Sequence, residues 1–247
     1  MSQRKLAEND VTEAENREQL PVSIVIPTYN EVLSIARVLA EFPPEYRSDL
    51  IVADGGSKDG TQDAARAAGA RVIDAGRGYG RACALGAAAA RPESRVIVFL
   101  DGDGADRGDL IARIAGPVLS GEKDLVLASR TLGTRDPGAM NWHQVMAGRI
   151  AGLGMGALYG LRYSDMCAFR AIDRTALAAL DLRETTYGWN IEMQMKAARA
   201  RLRIAEIPMP YRCRIGGQSK VAGSLRGTLK AGSRIVSTFV RVASAKP

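Results

Sequence analysis

Residues 95–109 read RVIVFLDGDGADRGD, and this stretch decides the fold. The apolar run at 96–100 is short and rich in β-branched residues, which predicts a strand buried on both faces of a parallel sheet. The turn that follows carries Asp101 and Asp103, separated by one glycine. Open α/β sheets bind ligands at the carboxyl ends of their strands. Two carboxylates at such a place can hold Mg²⁺ or Mn²⁺, and the alternative is a solvated acidic turn that caps a helix.

Strands and helices alternate along the chain on both sides of this stretch. Short apolar runs predict further strands over residues 22–27, 49–53, 72–74 and 124–128. Helices are predicted over residues 32–42, 80–90, 110–119 and 141–160. This alternation predicts an α/β domain with a mostly parallel sheet and helices on both of its faces. Residues 1–20 contain few large apolar residues, so we expect a disordered leader there.

The composition fits a soluble or peripheral enzyme with one large α/β domain. The chain has 247 residues, of which 46% are hydrophobic and 25% are charged. Its three cysteines lie far apart, which matches neither a metal-ligand spacing nor a disulfide framework and indicates a reducing compartment. No apolar run approaches the ~20 residues that span a bilayer. We therefore expect a cytoplasmic location, with peripheral contact at the inner face of the membrane left open.

Positive charge is concentrated at the C-terminal end. Residues 199–247 hold 11 basic residues and one acidic residue, whereas the whole chain has a net charge of +7. Such asymmetry predicts an anionic partner. We expect no nucleic-acid partner, because aromatic residues make up only 5% of the chain and none interleaves with the basic ones. Apolar and basic residues recur at helical spacing over 221–247, which predicts an amphipathic helix that lies on an anionic membrane or docks on the domain.

Two nucleotide-binding motifs are excluded. Gly76, Gly78 and Gly80 are spaced Gly-x-Gly-x-Gly, and Cys83 stands where a dinucleotide-binding fingerprint has its third glycine. The chain also lacks the Gly-Lys-Ser/Thr of a phosphate-loop NTPase. We interpret the three glycines as a loop that needs positive φ angles or close packing.

Four motifs, in this order and spacing, carry a resemblance to a known family. They are PTYNE at 27–31, DGGSKDGT at 54–61, DGD at 101–103 and YRCRIGGQSK at 211–220. With them the chain resembles the family 2 glycosyltransferases, and the last motif resembles a segment of the dolichyl- and polyprenyl-phosphate sugar transferases. The resemblance implies a GT-A fold, a Rossmann-like α/β domain over 21–220 with a C-terminal helical acceptor region.

The resemblance also implies a site for a nucleoside-diphosphate sugar, with UDP or GDP as its nucleotide. The residues that would bind this donor are Pro27, Tyr29, Glu31, Asp54, Gly56, Ser57, Asp101, Gly102 and Arg130. Asp101 and Asp103 would hold Mg²⁺ or Mn²⁺, which stabilises the leaving nucleoside diphosphate. The related pattern often continues to a glutamine, but this chain has Ala105 at that position, so the third metal contact stays open.

On the acceptor side, the resemblance implies catalytic roles for Asp103, Asp165 and Glu192. An alcohol acceptor needs a carboxylate that takes its proton, whereas a phosphate acceptor is already ionised at neutral pH and needs cations that position it. The cations that would hold a lipid phosphate are Arg212, Arg214 and Lys220. For Asp165 and Glu192, roles in a salt bridge or at a helix start remain open.

The helix predicted over 141–160 carries a glycine at every fourth position from Gly148 to Gly160. Such a stripe permits close helix contact, either within the monomer or in a homodimer.

The implied function is an inverting, metal-dependent transfer of a sugar from a nucleoside-diphosphate sugar to a polyprenyl-phosphate-type lipid. Transfer to a soluble phosphorylated acceptor, as in glucosyl-3-phosphoglycerate synthase, is the nearest alternative. A sugar nucleotidyltransferase would need a Gly-rich, basic loop after the first strand, where this chain has PTYNE. A non-catalytic nucleotide-sugar binder is the remaining alternative.

Overall fold

The computed structural model describes residues 19–216 and 225–245, so Lys220 and most of the predicted leader lie outside the described residues. Seven strands form one sheet. They are β1 (Val22–Thr28), β2 (Leu50–Asp54), β3 (Arg71–Asp74), β4 (Val96–Phe99), β5 (Leu125–Ser129), β6 (Arg170–Asp173) and β7 (Ile204–Pro208). Their order across the sheet is β3-β2-β1-β4-β6-β5-β7.

The sheet is mostly parallel, as the sequence predicts. The four strands from β3 to β4 run parallel, with Val25 of β1 beside Ile51 of β2 and Phe99 of β4. β6 is antiparallel to both β4 and β5, and β7 is parallel to β5. The predictions for β1 to β5 are therefore confirmed, whereas β6 and β7 were not predicted.

Helices cover the two faces of the sheet. They are α1 (Ile35–Glu41), α2 (Thr61–Ala67), α3 (Tyr79–Ala88), α4 (Ile111–Leu119), α5 (Trp142–Tyr159), α6 (Arg174–Ala179), α7 (Trp189–Arg199) and α8 (Leu225–Ser244). Two 3₁₀ turns lie at Pro44–Asp49 and Gly108–Leu110. In the described ranges no helix combines the length and the apolar character that a membrane span requires.

Two hydrophobic cores lie on opposite faces of the sheet, because successive strand residues point to opposite sides. Ile24 and Ile26 of β1 belong to one core, and Val25 between them belongs to the other. All seven residues of β1 are buried. Each large aliphatic side chain buried in this way contributes about 1.5–3 kcal/mol.

The basic C-terminal segment forms α8, and this helix docks on the body of the protein. Ala231 and Val242 are buried on its inner side, and the helix packs along α7. α8 also meets α5, because an added Cβ at Gly154 would lie only 2.7 Å from the ring of Phe239. Within the described residues, the helix therefore has the docked position that the sequence left as one of two alternatives.

Candidate active site

The carboxyl ends of β1, β2 and β4 open into a cavity of about 870 Å³. The cavity lies where β1 has β2 on one side and β4 on the other, so that the strand order reverses there. Open α/β sheets bind ligands at such a reversal. Its lining residues are Pro27, Thr28, Tyr29, Glu31, Gly55, Arg77, Gly78, Tyr79, Ala82, Asp101, Gly102, Asp103, Thr186, Tyr187, Arg214, Lys230, Ser233 and Arg234.

The acidic turn after β4 forms the floor of this cavity. Gly102 allows the turn to approach β1, because an added Cβ would lie 2.8 Å from the Thr28 methyl group. The Asp103 carboxylate accepts a hydrogen bond of 2.9 Å from the backbone N–H of Ala105. Burial and the neighbouring carboxylates of Asp103 and Asp106 raise the pKa of Asp101 to about 8. Three carboxyl groups are therefore crowded at this turn, and a bound cation would favour their ionised forms.

Asp101 and Asp103 supply oxygen donors that suit Mg²⁺ or Mn²⁺. Among the described residues, no group of three or more His, Cys, Asp or Glu side chains is arranged to hold a metal ion. Ala105 is buried and carries no donor. The residues thus fit a cation that keeps coordination positions open for phosphate oxygens and water, as Mg²⁺ usually does.

An arginine that the sequence analysis did not single out stacks on the predicted nucleotide pocket. The Arg77 guanidinium lies 3.8 Å from the centre of the Tyr29 ring and donates a hydrogen bond of 2.6 Å to its hydroxyl. Both residues line the cavity. Arg77 lies in the loop from Gly76 to Gly78, which follows β3. Because ligands bind at the carboxyl ends of parallel strands, this position after a predicted strand could have identified Arg77 from the sequence.

The loop after β2 is shaped by Asp54, whose side chain is fully buried. Its carboxylate accepts hydrogen bonds from the backbone of Gly56 and Ser57, at 2.9 and 2.8 Å, and from Gln62 at 2.9 Å. Burial alone would raise the pKa of Asp54, but a hydrogen bond from the Ser57 hydroxyl, together with these three, lowers it. Only Gly55 of this loop lines the cavity, so nucleotide contact by Asp54, Gly56 and Ser57 stays a prediction.

The structure brings Arg130 and Asp165 together beside the acidic turn. Two side-chain hydrogen bonds, of 2.7 and 2.8 Å, join the guanidinium to the carboxylate, and the Arg130 backbone N–H donates a third of 2.9 Å. Arg130 also lies over the Tyr211 ring at 5.0 Å. Burial would raise the pKa of Asp165, but the adjacent guanidinium holds it below its ordinary value. In this arrangement Asp165 positions Arg130, and neither residue lines the cavity.

Glu192 lies in a buried polar cluster away from the cavity lining. Its carboxylate accepts hydrogen bonds from the backbone of Arg183 and Glu184, at 3.0 and 2.6 Å. It also pairs with Lys196 at 3.2 Å and with Arg241 of α8 at 3.3 Å. These contacts join α7, the loop before it and α8, so the geometry gives Glu192 a structural task, and its catalytic role stays a prediction.

The predicted acceptor cations separate into two positions. Arg214 lines the cavity, where its guanidinium lies 3.1 Å from Glu31 and 3.9 Å from Asp103. Arg212 points away and forms an ion pair of 2.6 Å with Glu41. Lys220 lies outside the described residues. Of the two cations that the structure describes, only Arg214 lines the cavity, whereas Arg212 contacts the acidic turn from outside the cavity, at the Gly104 carbonyl oxygen.

The C-terminal helix forms a wall of the cavity that the four sequence motifs do not include. Lys230, Ser233 and Arg234 line the cavity from one side of α8, since residues three and four apart share a helix face. Glu184 anchors this part of α8 through Arg234 at 3.1 Å and Thr238 at 2.8 Å. The concentration of basic residues over 199–247 predicted an anionic partner for this segment. The sequence did not show that these residues face the same cavity as the donor motifs.

Comparisons with known proteins agree on one family. The family model for Glycosyl transferase family 2 matches residues 23–180. An uncharacterized glycosyltransferase of Mycobacterium tuberculosis is 34% identical over 216 residues, which cover 85% of this chain and 94% of that protein. The undecaprenyl-phosphate mannosyltransferase of Micrococcus luteus is 31% identical over 226 residues, covering 83% and 89%. The dolichyl-phosphate hexose transferase of Haloferax volcanii is 32% identical over 200 residues, covering 79% and 84%.

Solved structures share the fold. Glucosyl-3-phosphoglycerate synthase of Mycobacterium tuberculosis, solved with Mn²⁺, UDP-glucose and glycerol 3-phosphate, matches with a TM-score of 0.70. The match covers 97% of this chain and 85% of that chain at 23% sequence identity. This likeness confirms the GT-A architecture that the sequence motifs imply.

Proposed function

The chain belongs to glycosyltransferase family 2, and we propose that it moves a sugar from UDP- or GDP-sugar to a polyprenyl-phosphate-type lipid with inversion at the anomeric carbon. The observation that carries the proposal is the cavity, in which the Asp101–Asp103 turn on the floor faces cations from several loops and from α8. An acidic floor that suits a divalent cation and cationic walls together fit a diphosphate donor and a phosphate acceptor.

In the proposed reaction, an oxygen of the acceptor phosphate attacks the anomeric carbon of the sugar. The new carbon–oxygen bond forms as the bond to the donor diphosphate breaks, and the nucleoside diphosphate leaves. Asp101 and Asp103 would hold Mg²⁺ or Mn²⁺, which supplies charge stabilisation for that leaving group. Tyr29, Pro27 and Glu31 line the wall on which the nucleotide would lie.

A phosphate acceptor fits the arrangement of the predicted catalytic carboxylates. Asp165 is paired with Arg130, and Glu192 is paired with Lys196 and Arg241. Neither lines the cavity as a free base. Because a phosphate monoester has its second pKa near 6, it is already mostly ionised at neutral pH and needs no base to remove a proton. The names of the Micrococcus and Haloferax relatives support a polyprenyl-phosphate acceptor.

A lipid acceptor requires access to a membrane surface, and we assign that contact to the outer faces of α5 and α8. Exposed apolar side chains on these helices include Trp142, Ile150, Leu153, Val236 and Val240. The two helices touch at Gly154 and Phe239, so their apolar surfaces adjoin. The excess of 11 basic residues over one acidic residue in 199–247 suits an anionic bilayer.

The test is a transfer assay with purified protein, Mn²⁺, a panel of UDP- and GDP-sugars and a short-chain polyprenyl phosphate. We expect a glycolipid product with one donor, and its absence with every donor would refute the proposal. A parallel arm with 3-phosphoglycerate detects the alternative, transfer to a soluble acceptor. Flotation with phosphatidylglycerol vesicles, compared with phosphatidylcholine vesicles, tests the membrane contact, and protein that stays unbound to both would exclude it.

Asp103→Asn separates metal-assisted donor binding from folding. Wild-type protein should melt at a higher temperature with UDP or GDP plus Mn²⁺ than with either alone, because the cation would link the acidic turn to the diphosphate. Asp103→Asn should lose this joint shift and melt as wild type does without ligand. A variant that keeps the full Mn²⁺-dependent shift would remove Asp103 from the metal site. Asp63→Asn, which alters an exposed carboxylate on α2, is the control.

A further inference from the structure

Four basic side chains of the described residues line the cavity, and they differ in how they are held. Arg77 is bonded to Tyr29, and Arg214 pairs with Glu31. Arg234 pairs with Glu184 through Nε alone, at 3.1 Å. Across residues 19–216 and 225–245, the Lys230 ammonium makes no hydrogen bond or ion pair. A cation that lines a cavity without a carboxylate partner keeps its full charge for a bound anion.

Lys230 is held at the cavity by a helix whose position is fixed one turn further along. Glu184 accepts hydrogen bonds from Arg234 and Thr238 of α8 and from the backbone of Thr186, at 3.1, 2.8 and 2.9 Å. Ala231, next to Lys230, is buried against the body of the protein. The backbone that carries Lys230 is thus anchored, while its flexible side chain reaches the cavity.

The cation that the sequence motif would use at this place is engaged elsewhere. Arg212 donates to both carboxylate oxygens of Glu41, at 2.7 and 2.6 Å, and to the Gly104 carbonyl oxygen at 2.6 Å. Freeing its guanidinium for a ligand would break both hydrogen bonds to Glu41 and leave that carboxylate, among the described residues, with only a longer ion pair of 3.6 Å to Arg37, which opposes that movement. Of the cations in the YRCRIGG stretch, Arg214 alone therefore lines the cavity, and α8 adds Lys230 and Arg234 to the lining.

We infer that Lys230, with the two terminal nitrogens of Arg234, forms a phosphate-binding site on the α8 wall of the cavity. The inference rests on the proposed function and extends it, since the four family motifs end before α8 begins. An ammonium and a guanidinium one helical turn apart can each donate to phosphate oxygens. The phosphate belongs either to the diphosphate of the donor or to the acceptor, and these sources are separated by experiment.

The experiment compares wild type with Lys230→Ala and Lys230→Arg in two binding arms. Calorimetry with UDP and GDP in Mn²⁺ measures the donor arm, and binding of a short-chain polyprenyl phosphate measures the acceptor arm. Lys230→Ala should lower the affinity measured in one arm by about tenfold to a hundredfold, which is the usual effect of losing a charge-assisted hydrogen bond. Lys230→Arg should restore most of that affinity. Because Lys230 has no partner in the described chain, the melting temperature should stay within about 1 °C of wild type.

The matched control is Arg113→Ala, which removes one exposed positive charge from α4 without touching the cavity lining. It should leave both arms unchanged. Weaker binding of UDP or GDP by Lys230→Ala assigns the site to the donor diphosphate. Weaker binding of the polyprenyl phosphate assigns it to the acceptor phosphate. If wild type binds and Lys230→Ala matches it in both arms, the inference is wrong while the proposed function stands. If wild type binds neither ligand, the proposed function and the inference both fail.

Discussion

Replacing Glu184 by glutamine tests how firmly α8 is held over the cavity. Glu184 is only 4% exposed. Burial alone would raise its pKa, but hydrogen bonds from Thr186, Thr238 and Arg234 lower it to about 2. A carboxyl whose pKa falls from 4.5 to about 2 on folding contributes about 3 kcal/mol to the free energy of unfolding at neutral pH.

Glutamine keeps the shape of the side chain but removes its charge, so most of this contribution should be lost. We expect Glu184→Gln to unfold at a lower urea concentration at pH 7 and to melt roughly 10 °C lower. The sign of the pH dependence follows from a lowered folded-state pKa. The stability due to Glu184 is present above pH 4.5 and is lost as the pH falls toward 2. The difference in the free energy of unfolding between variant and wild type should therefore become smaller as the pH is lowered from 4.5 toward 2.

Urea unfolding at pH 7 and at pH 3.5 measures both effects. Glu122→Gln is the control, because Glu122 is exposed and, among the described residues, forms an ion pair only with the neighbouring Lys123, at 3.6 Å. It should change the free energy of unfolding by less than about 0.5 kcal/mol at either pH. A Glu184→Gln variant as stable as wild type at pH 7, or a gap that stays constant down to pH 3.5, would refute the anchoring role.

Three further substitutions probe the contacts that support the site. Gly80→Ala should lower the free energy of unfolding by about 1–3 kcal/mol, because the new methyl group would overlap the carbonyl oxygen of Glu184. Gly116→Ala, in α4 with open space around it, should instead stabilise the protein by up to about 1 kcal/mol, and equal effects in the two variants would contradict the packing. Asp165→Asn should cost about 3 kcal/mol in urea unfolding, since it leaves the Arg130 guanidinium without its carboxylate, and a loss below 1 kcal/mol would show that this pair is dispensable.

The parallel half of the fold could be predicted because its strands are continuous apolar runs. The runs that form β1, β2 and β4 are buried on both faces. Such burial favours apolar residues on both faces, which makes these strands recognisable in the sequence. β6 could not be found in this way, since it reads Arg-Ala-Ile-Asp and begins with a charged residue. Arg170 is nevertheless fully buried, because the carbonyl oxygens of Cys167, Ala168 and Asn190 accept hydrogen bonds from its guanidinium.

The site was predictable where its residues follow strands, and less so where it depends on distant partners. Tyr29, Asp101 and Asp103 lie where their positions after strands place them, around one cavity. An acidic residue that serves a reaction and one that holds an arginine look alike in a sequence. The partners of Asp165 and Glu192, which include Arg130 and Arg241, lie far away along the chain. Only the folded arrangement shows that these carboxylates are already engaged.

The reversed direction of β6 has a consequence for how residues 130–169 can change. The chain leaves the sheet after Ser129 and returns at Arg170, which pairs with Leu127, so residues 130–169 begin and end at neighbouring points on one rim. A segment whose two ends are adjacent can be lengthened, shortened or exchanged at a modest cost in loop-closure entropy, while the pairing of β5 with β6 stays intact. Protein engineering could therefore vary residues 130–169 between two fixed attachment points, provided that the contact of Gly154 with Phe239 of α8 is kept.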